Sequence, residues 1–526
     1  MPTTTLRPTV RCARSRSPNP EPAKQTSQTV ATDSDLARIR VSWTLQAAPP
    51  RAQWLVRLKL MAEATTARNA YTRRIAEFVS QLRYEHVSAE VRDRLKLLIL
   101  DSLGCAIYGA NLKWCRIIRE TLERVDKTRT TGIWGTDRQL SSVHAALVNG
   151  TQVQSFELDD VHRQGVLHVG AVTLPALIAA AETHTRLSGR DFIAAALAGY
   201  EIGPRVGLCM GQEHIGQGWH SGATVGVFAA VSAAARALAL DSDKTVHALG
   251  IAGTQASGLM AAQYGAMVKR MHAGRAAQSG LYAALLASEG FTGIVDVFKA
   301  PYGGFCTTFS RSRDRFQLTA LTAGLGERFE TMRVSLKFYA CVGSTHTTLD
   351  ALADINKRHP FIAGDVERII VHASQVTIDH AGWPYRPEGL TATQLNLPFC
   401  VATMILTGDA FVDQFTPDCV NDPARIELSH KVQVVHDPAI TALGAAHRHQ
   451  VHVEAYFRDG SVERETRDAP RGSEQCFAGE AQIVEKFRKL TGAVMARALQ
   501  DALVEAVLRL DELADSRAMT KLLRVG

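Results

Sequence analysis

Apolar residues recur every three or four positions from about residue 75 to residue 300, which is the spacing of helices that bury one face. Small residues dominate several of these faces, most clearly at 172–187, 192–198 and 224–240. Because helices rich in Ala and Gly can approach one another closely, this region predicts a compact, all-helical core.

The pattern changes after about Arg333, where short β-like runs stand at 367–373, 431–435 and 450–457. The last run is followed by Asp459-Gly460, a dipeptide typical of hairpin turns. The helical spacing then returns, from about residue 480 to the end of the chain.

These changes divide the 526 residues into a leader and two domains. We predict a mainly α fold, in which a large all-helical domain, residues 75–332 and 475–526, is interrupted by a smaller α+β lid domain, residues 333–474. Residues 1–74 are predicted to be a disordered leader outside both domains.

The positive charge is concentrated in the leader. Thirteen Lys and Arg residues stand against four acids in residues 1–75, so the formal net charge of +7 leaves about −2 on the rest of the chain. The body therefore lacks the basic surface of a nucleic-acid-binding protein. The richest apolar stretch, 223–235, is short and Ala-rich and is followed by Arg236, so we expect no membrane partner either.

The first twenty residues contain four arginines and no acid, and they lack the apolar run of a secretory signal. This composition is typical of organellar transit segments, and we expect a mitochondrial location. Prolines in the same stretch disfavour an amphipathic helix, which leaves a plain leader and a cytoplasmic location as the alternative.

Nine cysteines are scattered along the chain without paired spacing. This pattern is typical of a reducing compartment and argues against a disulfide framework. It also provides no thiolate cluster for iron and sulfur. We therefore expect chemistry carried by side chains alone, with no cofactor and no metal.

The densest group of chemical side chains lies at 157–168, where three acids and two histidines occur together. Asp159 or Asp160 could orient a histidine and raise its pKa for general acid–base work, with His162 and His168 as candidates. The alternatives are a solvated helix end with a capping acid, or a metal site built from Asp159, Asp160 and His168.

Three further segments carry basic groups. His220 lies between glycines that leave backbone N–H groups free to bind an anion, although a lone histidine is often structural. Lys269 and His272 lie in a strongly basic helical turn, which could also be an exposed helix start. Lys337 lies where the composition changes, and domain junctions favour small-molecule sites. Together these groups predict an anionic organic substrate.

Five segments of the chain resemble the MmgE/PrpD family, and the resemblance covers about residues 75–520. They are 95–110, 157–182, 218–230, 269–293 and 336–352. The family includes 2-methylcitrate dehydratase and cis-aconitate decarboxylase, and the acid and histidine spacing at 159–168 is most similar to the fungal decarboxylases. The resemblance implies a cofactor-free homodimer that acts on a small tricarboxylate.

The resemblance also assigns roles to residues. It implies catalytic roles for His168, Asp159, Asp160, His220 and Lys269, and substrate binding by His272 and Lys337, to which we add His162. The chain departs from the animal decarboxylases, which place an aspartate, a threonine and a histidine where Glu157, Val161 and the pair Cys341/Val342 stand here.

The activity expected from the resemblance is decarboxylation of cis-aconitate, or a close tricarboxylate, to itaconate. Dehydration of 2-methylcitrate or a longer alkylcitrate is the first alternative, and an apolar pocket near Met260, Met267 and Phe338 would favour it. A non-catalytic paralogue that acts as a binding partner is the second, because positions 161 and 341–342 have lost polar groups.

Overall fold

The computed structural model describes residues 70–525, apart from residues 212, 264, 313 and 445. Residues 1–69 lie outside this range, and with them the predictions about the leader and the transit segment. The first described helix starts at Ala70, so it includes the last residues of the predicted leader.

Helices dominate the described chain, which confirms the mainly α prediction. Those before residue 333 are α1 (Ala70–Gln81), α2 (Ala89–Gly109), α3 (Lys113–Val125), α4 (Ser142–Val153), α5 (Val169–Thr183), α6 (Gly189–Met210), α7 (Glu213–Gly216), α8 (Ser221–Thr224), α9 (Gly226–Ala237), α10 (Ser242–Gly253), α11 (Val268–Ser288) and α12 (Phe305–Ser310). Those after it are α13 (Gly343–Arg358), α14 (Gln375–Ala381), α15 (Leu390–Leu395), α16 (Leu397–Thr407), α17 (Pro423–Ser429), α18 (Pro438–Ala442), α19 (Glu480–Thr491), α20 (Arg497–Leu508) and α21 (Arg517–Thr520).

Helix α9 forms the centre of the helical part, and every one of its residues is buried. It packs on α5, α6 and α11. The approach to α11 depends on a glycine, because a Cβ at Gly280 would lie only 2.4 Å from Cβ of Ala230. The small residues of the sequence thus have the role predicted for them, which is to let helix backbones come close.

A four-stranded sheet follows the helical part. Its strands are β5 (Val366–Ala373), β6 (Val432–His436), β7 (Val451–Phe457) and β8 (Val462–Arg467). The order is β6-β5-β7-β8, with β5 and β6 parallel and the other pairs antiparallel. The three predicted β-like runs are strands within one residue of their predicted bounds, and β8 completes the hairpin whose turn contains Gly460.

Most of the buried apolar side chains in the described residues belong to two hydrophobic cores. The larger core is built by the helices before residue 330 with the C-terminal helices. The smaller one lies between the sheet and the helices α13 and α16, with Ile369, Leu349 and Phe399 among its members. Helix α19 returns to the helical part and packs on α2. The exact domain bounds stay a prediction.

Two short antiparallel ladders lie outside the four-stranded sheet in the described part of the chain. Strands β1 (Thr131–Gly132) and β2 (Gln139–Leu140) pair with each other. Strand β3 (Val161–His162) pairs with β4 (Val334–Ser335), in the register Val161 with Ser335 and His162 with Val334. This second ladder brings the acidic segment 157–168 beside the segment that carries Lys337.

None of the described helices is by itself both long and apolar enough to cross a membrane, and one bent pair, α2 with α3, meets the criterion only when taken together.

Candidate active site

A cavity of about 920 Å³ opens between the segments singled out in the sequence. Its walls include Glu157, His168, His220, Lys269 and Lys337. Four of the eight predicted site residues therefore line one cavity, together with an acid, Glu157, that was counted in the acidic segment but given no role.

Glu157 is the centre of a cluster of three cations. Its carboxylate accepts hydrogen bonds from Nζ of Lys269, from Nη1 of Arg270 at 2.7 Å, and from Nζ of Lys337 at 3.3 Å. The side chain is buried, and its backbone is left-handed, with φ of 57°. Since such a φ is uncommon outside glycine, the backbone is held there by its surroundings. We call Glu157, Lys269, Arg270 and Lys337 the Glu157 cluster.

The charges of this cluster shift its pKa values. Burial alone raises the pKa of Glu157, but Lys269, Lys337, Arg270 and His168 outweigh it, and the net pKa lies well below the usual range. Burial lowers the pKa of Lys269, only partly offset by the charge of Glu157. The glutamate is therefore ionised, and it holds the ammonium groups in place before any substrate binds.

His168 lies at the start of α5, with Asp159 behind it. Nδ1 of His168 is 3.0 Å from Oδ2 of Asp159, an ion-pair distance whose angle misses that of a hydrogen bond. Asp159 is fully buried, whereas His168 reaches the cavity. A buried carboxylate behind an accessible imidazole is the arrangement expected for a histidine that moves a proton.

The backbone of this segment is held by the returning C-terminal helix. Lys486 of α19 donates a hydrogen bond to the carbonyl oxygen of Leu158 at 2.8 Å and another to Oδ1 of Asp101 at 2.5 Å. Both charged side chains are buried. The acidic segment is thus fixed from behind by a buried ion pair.

His220 and His272 lie side by side, with ring centroids 4.8 Å apart. His220 faces the cavity at the start of α8, whereas His272 lies behind it and is not among the lining residues. Burial, reinforced by Lys269 and the neighbouring histidines, lowers the pKa of His220 well below its usual value. His220 is therefore neutral near pH 7 and can donate a hydrogen bond without carrying charge.

Two predicted site residues point away from the cavity. Asp160 accepts hydrogen bonds from Tyr200 Oη at 2.8 Å and from the amide of Gly170 at 2.9 Å, and burial raises its pKa to about 8. His162 contacts Glu330 through Nε2 at 3.1 Å and accepts a hydrogen bond from the amide of Gly165. These contacts do not support the expected roles, which were to orient a histidine for Asp160 and to bind substrate for His162, because their polar atoms are already used within the framework.

Several cavity residues were missed by the sequence reasoning. Arg163, Arg448 and His449 line the same cavity, beside Ser344, which lies in the segment 336–352 already singled out in the sequence. They are separated by up to 286 residues, and no local motif joins them. Only the positive charge of Arg163, directly after His162, was a signal that sequence reasoning could have used.

Over residues 70–525 with their gaps, no three side chains of His, Cys, Asp and Glu are grouped as metal ligands would be. Asp160 turns to Tyr200 while Asp159 and His168 face each other, so the three residues of the metal alternative do not converge.

The fold and cavity define a helical protein with a buried, cation-rich site suited to a small organic polyanion. Comparison with known families agrees: residues 73–317 match the MmgE/PrpD N-terminal domain, and residues 339–512 match the MmgE/PrpD C-terminal domain. The chain belongs to the MmgE/PrpD family.

Curated relatives match over most of their length. The cis-aconitate decarboxylase-like protein oryM of Aspergillus oryzae is 34% identical over 86% of this chain and 96% of its own. The cis-aconitate decarboxylase of Aspergillus terreus is 32% identical over 87% and 97%. The human cis-aconitate decarboxylase is 26% identical over 86% and 94%. The resemblance to fungal members inferred from the motifs is thereby confirmed.

Proposed function

We propose that the protein is a lyase that decarboxylates cis-aconitate to itaconate. The observation that carries the proposal is that Glu157, Lys269 and Lys337 of the Glu157 cluster line one cavity together with His168 and His220. Relatives named cis-aconitate decarboxylase, similar over most of the chain, support the same activity.

Binding uses the cations that Glu157 already holds. Lys269 and Lys337 line the cavity, and each has N–H groups beyond those used by the glutamate. Carboxylates of the substrate bind these ammonium groups and the neutral ring of His220. Because the ammonium groups are fixed before binding, little reorganisation is needed when charge develops.

The reaction begins with loss of the carboxylate on the methylene arm. The bond between the methylene carbon and its carboxyl carbon breaks and CO₂ leaves, while the bonding pair forms a double bond to the central carbon. The former double bond shifts its pair toward the former vinyl carbon and the carboxylate attached to it. Lys269 and Lys337 stabilise this dienolate charge.

A proton then completes the product. Added to the former vinyl carbon, it gives itaconate, so that atoms and charge balance with one CO₂ released and one proton taken up. His168 is the donor in this scheme, because it reaches the cavity with Asp159 behind its ring. His220 is unsuited to this step, since its lowered pKa leaves it neutral.

The alternative activity is dehydration of 2-methylcitrate or a longer alkylcitrate. The size and the apolar wall of the cavity are compatible with these larger substrates. A volume of about 920 Å³ is at the upper end for small-molecule sites. Ile215, Met260, Trp383 and Leu395 supply apolar wall, although Met267 and Phe338 do not line it.

The deciding experiment incubates the purified chain separately with cis-aconitate and with 2-methylcitrate and follows products by mass spectrometry. Itaconate with CO₂ supports the decarboxylase. A product lighter by water alone replaces it with the dehydratase. If neither compound is turned over and calorimetry detects no tricarboxylate binding, both activities are contradicted. That result favours a non-catalytic paralogue that acts as a binding partner.

A further inference from the structure

A second group of polar side chains faces the same cavity but takes no part in the reaction described above. It comprises Arg163, Ser344, Arg448 and His449, all of which line the cavity. We call these four residues the Arg448 cluster. None of them was assigned a role by motif or by family resemblance.

The cluster has more positive than negative charge. Arg163 pairs with Glu474, with Nη2 at 2.6 Å from Oε1 and Nε donating to Oε2 at 3.1 Å. Arg448 has no such partner: among the described residues no carboxylate lies within 4.0 Å of its guanidinium. Within the part of the chain that the structure describes, its guanidinium donates only to the carbonyl oxygen of Arg163 at 2.9 Å, and its Nε is buried without a partner.

An unpaired guanidinium is costly in such a place. Arg448 is only 9% exposed, and burial, with the repulsion of Arg163, lowers its pKa to about 10. Buried charges in proteins are normally paired or bound to a ligand of opposite charge. The cavity wall at Arg448 therefore has the charge and the free donors to bind an anion.

His449 supplies a further donor. Nη1 of Arg163 donates to Nδ1 of His449 at 3.3 Å, and because arginine has no acceptor atoms, Nδ1 must be the unprotonated nitrogen. The ring is buried and its pKa lies well below the usual value, so it is neutral and carries its proton on Nε2. Among the described residues, the one hydrogen-bond partner of Nε2 is Ser344 Oγ, at 3.5 Å, too long for a strong hydrogen bond.

The amino end of α13 opens beside these groups. The helix has 16 residues, and Val342 at its N-cap provides no side-chain acceptor. Within the described chain, the amides of Gly343 and Ser344 have no hydrogen-bond acceptor. Gly343 is close to His449, since a Cβ there would lie 3.9 Å from Cε1. Free N–H groups and the helix dipole both favour an anion at this end.

We propose that the Arg448 cluster, with the amino end of α13, binds a second carboxylate of the substrate. The Glu157 cluster binds the reacting end, and the Arg448 cluster binds a carboxylate remote from it. This inference rests on the proposed function in so far as the ligand is a tricarboxylate. Occupancy of both clusters makes the enzyme prefer tricarboxylates to dicarboxylates.

The test measures binding of an unreactive tricarboxylate, tricarballylate, and of a dicarboxylate, glutarate, by calorimetry on the full chain. Wild-type protein is expected to prefer tricarballylate. Arg448→Gln should weaken tricarballylate binding about 10- to 100-fold and abolish the preference, because a hydrogen-bonded charge pair is lost. Arg448→Lys, which keeps the charge without the fork, should restore part of the affinity.

Arg458→Gln is the matched control, because Arg458 is exposed on the hairpin turn of the same sheet. Circular dichroism and melting temperature establish that each variant is folded. Wild-type affinity and preference in both Arg448→Gln and Arg163→Gln would overturn the proposal, as would a wild-type protein that binds no tricarboxylate.

Turnover separates this inference from the proposed function. If the binding pattern is as expected but cis-aconitate releases no CO₂, the second carboxylate site stands and the decarboxylase does not. If CO₂ and itaconate form but Arg448→Gln has wild-type KM and wild-type tricarballylate affinity, the reverse holds. The supporting result is a KM for cis-aconitate raised about 10- to 100-fold with a smaller change in kcat.

Discussion

The Glu157 cluster, through Glu157, Lys269 and Lys337, and the Arg448 cluster line one cavity, and both are buried and basic, yet they differ in how their charge is balanced. Three cations surround Glu157, whose carboxylate bonds to all of them. The other cluster contains two guanidiniums, and Glu474 pairs with that of Arg163 but not with that of Arg448. An internal carboxylate fixes cations where chemistry needs rigid geometry, whereas an unpaired guanidinium leaves its donors for the ligand.

The largest effect is expected at the reacting end. His168→Ala should lower kcat on the true substrate by about 10²- to 10⁴-fold, the usual range for loss of a proton-transferring group. Lys269→Ala should cause a loss of similar order, because charge that develops in the cavity is no longer stabilised. The measurement is the initial rate of CO₂ release, with His144→Ala as the control, since His144 pairs with Asp126 and does not line the cavity. Near-normal rates for both variants would refute the assignment.

Removing one charge should cost much more stability in the Glu157 cluster than in the Arg448 cluster. Glu157→Gln leaves three buried cations without their acid and should lower the free energy of unfolding by about 3–5 kcal/mol. Arg448→Gln removes a charge that has no acid partner and should change it by no more than about 1 kcal/mol. Urea unfolding of both variants, with equal m-values, measures the difference. Equal losses of unfolding free energy in the two variants would contradict the proposed difference in charge balance between the clusters.

A smaller effect concerns the buried carboxyl group of Asp160 and the pH dependence of stability. Burial raises the pKa of Asp160 to about 8, whereas an unfolded aspartate ionises near pH 4. Between these values the folded state holds a proton that the unfolded state has released, so the contribution of Asp160 to stability falls as pH rises. Asp160→Asn cannot titrate.

The melting temperature of Asp160→Asn minus that of wild type should therefore increase as the pH rises from 5 to 8. Its kcat at pH 7 should stay within a few-fold of wild type, since Asp160 does not reach the cavity. Melting curves that run parallel across this range would show that Asp160 is ionised in the folded protein.

The smallest effect concerns the apolar wall. Met260→Ala enlarges the cavity and should shift the ratio of the two binding affinities toward 2-methylcitrate, relative to cis-aconitate, by up to about tenfold. Met267→Ala is the matched control, because Met267 is exposed and does not line the cavity. An unchanged ratio in Met260→Ala would place the substrate away from this wall.

The periodicity of apolar residues was sufficient to predict the main helices and strands, but it was not sufficient to predict the geometry of the site. The strand at 450–457 was predictable because Val451, Val453, Ala455 and Phe457 alternate with polar residues and face the core. The ladder of β3 with β4 has only two residues in each strand, too few for any pattern to signal, yet it brings Glu157 to Lys337. The homodimer and the mitochondrial location stay predictions.

The direction in which each side chain points could not be predicted from the sequence either. Asp159 and Asp160 are adjacent and chemically identical, so the sequence could not say which would lie behind His168 and which would turn to Tyr200. The Arg448 cluster was missed for a different reason, because Arg163, Ser344 and His449 meet only through tertiary packing.

The left-handed backbone of Glu157 bears on which acids can replace it during divergence. Aspartate enters this conformation more readily than glutamate because its short side chain can hydrogen-bond locally. Aspartate, however, is one methylene shorter and has less reach toward three separate cations. Replacing glutamate by aspartate at position 157 would therefore reduce backbone strain but shorten the side chain. In a relative with aspartate at this position, the neighbouring cations would have to lie closer to the backbone.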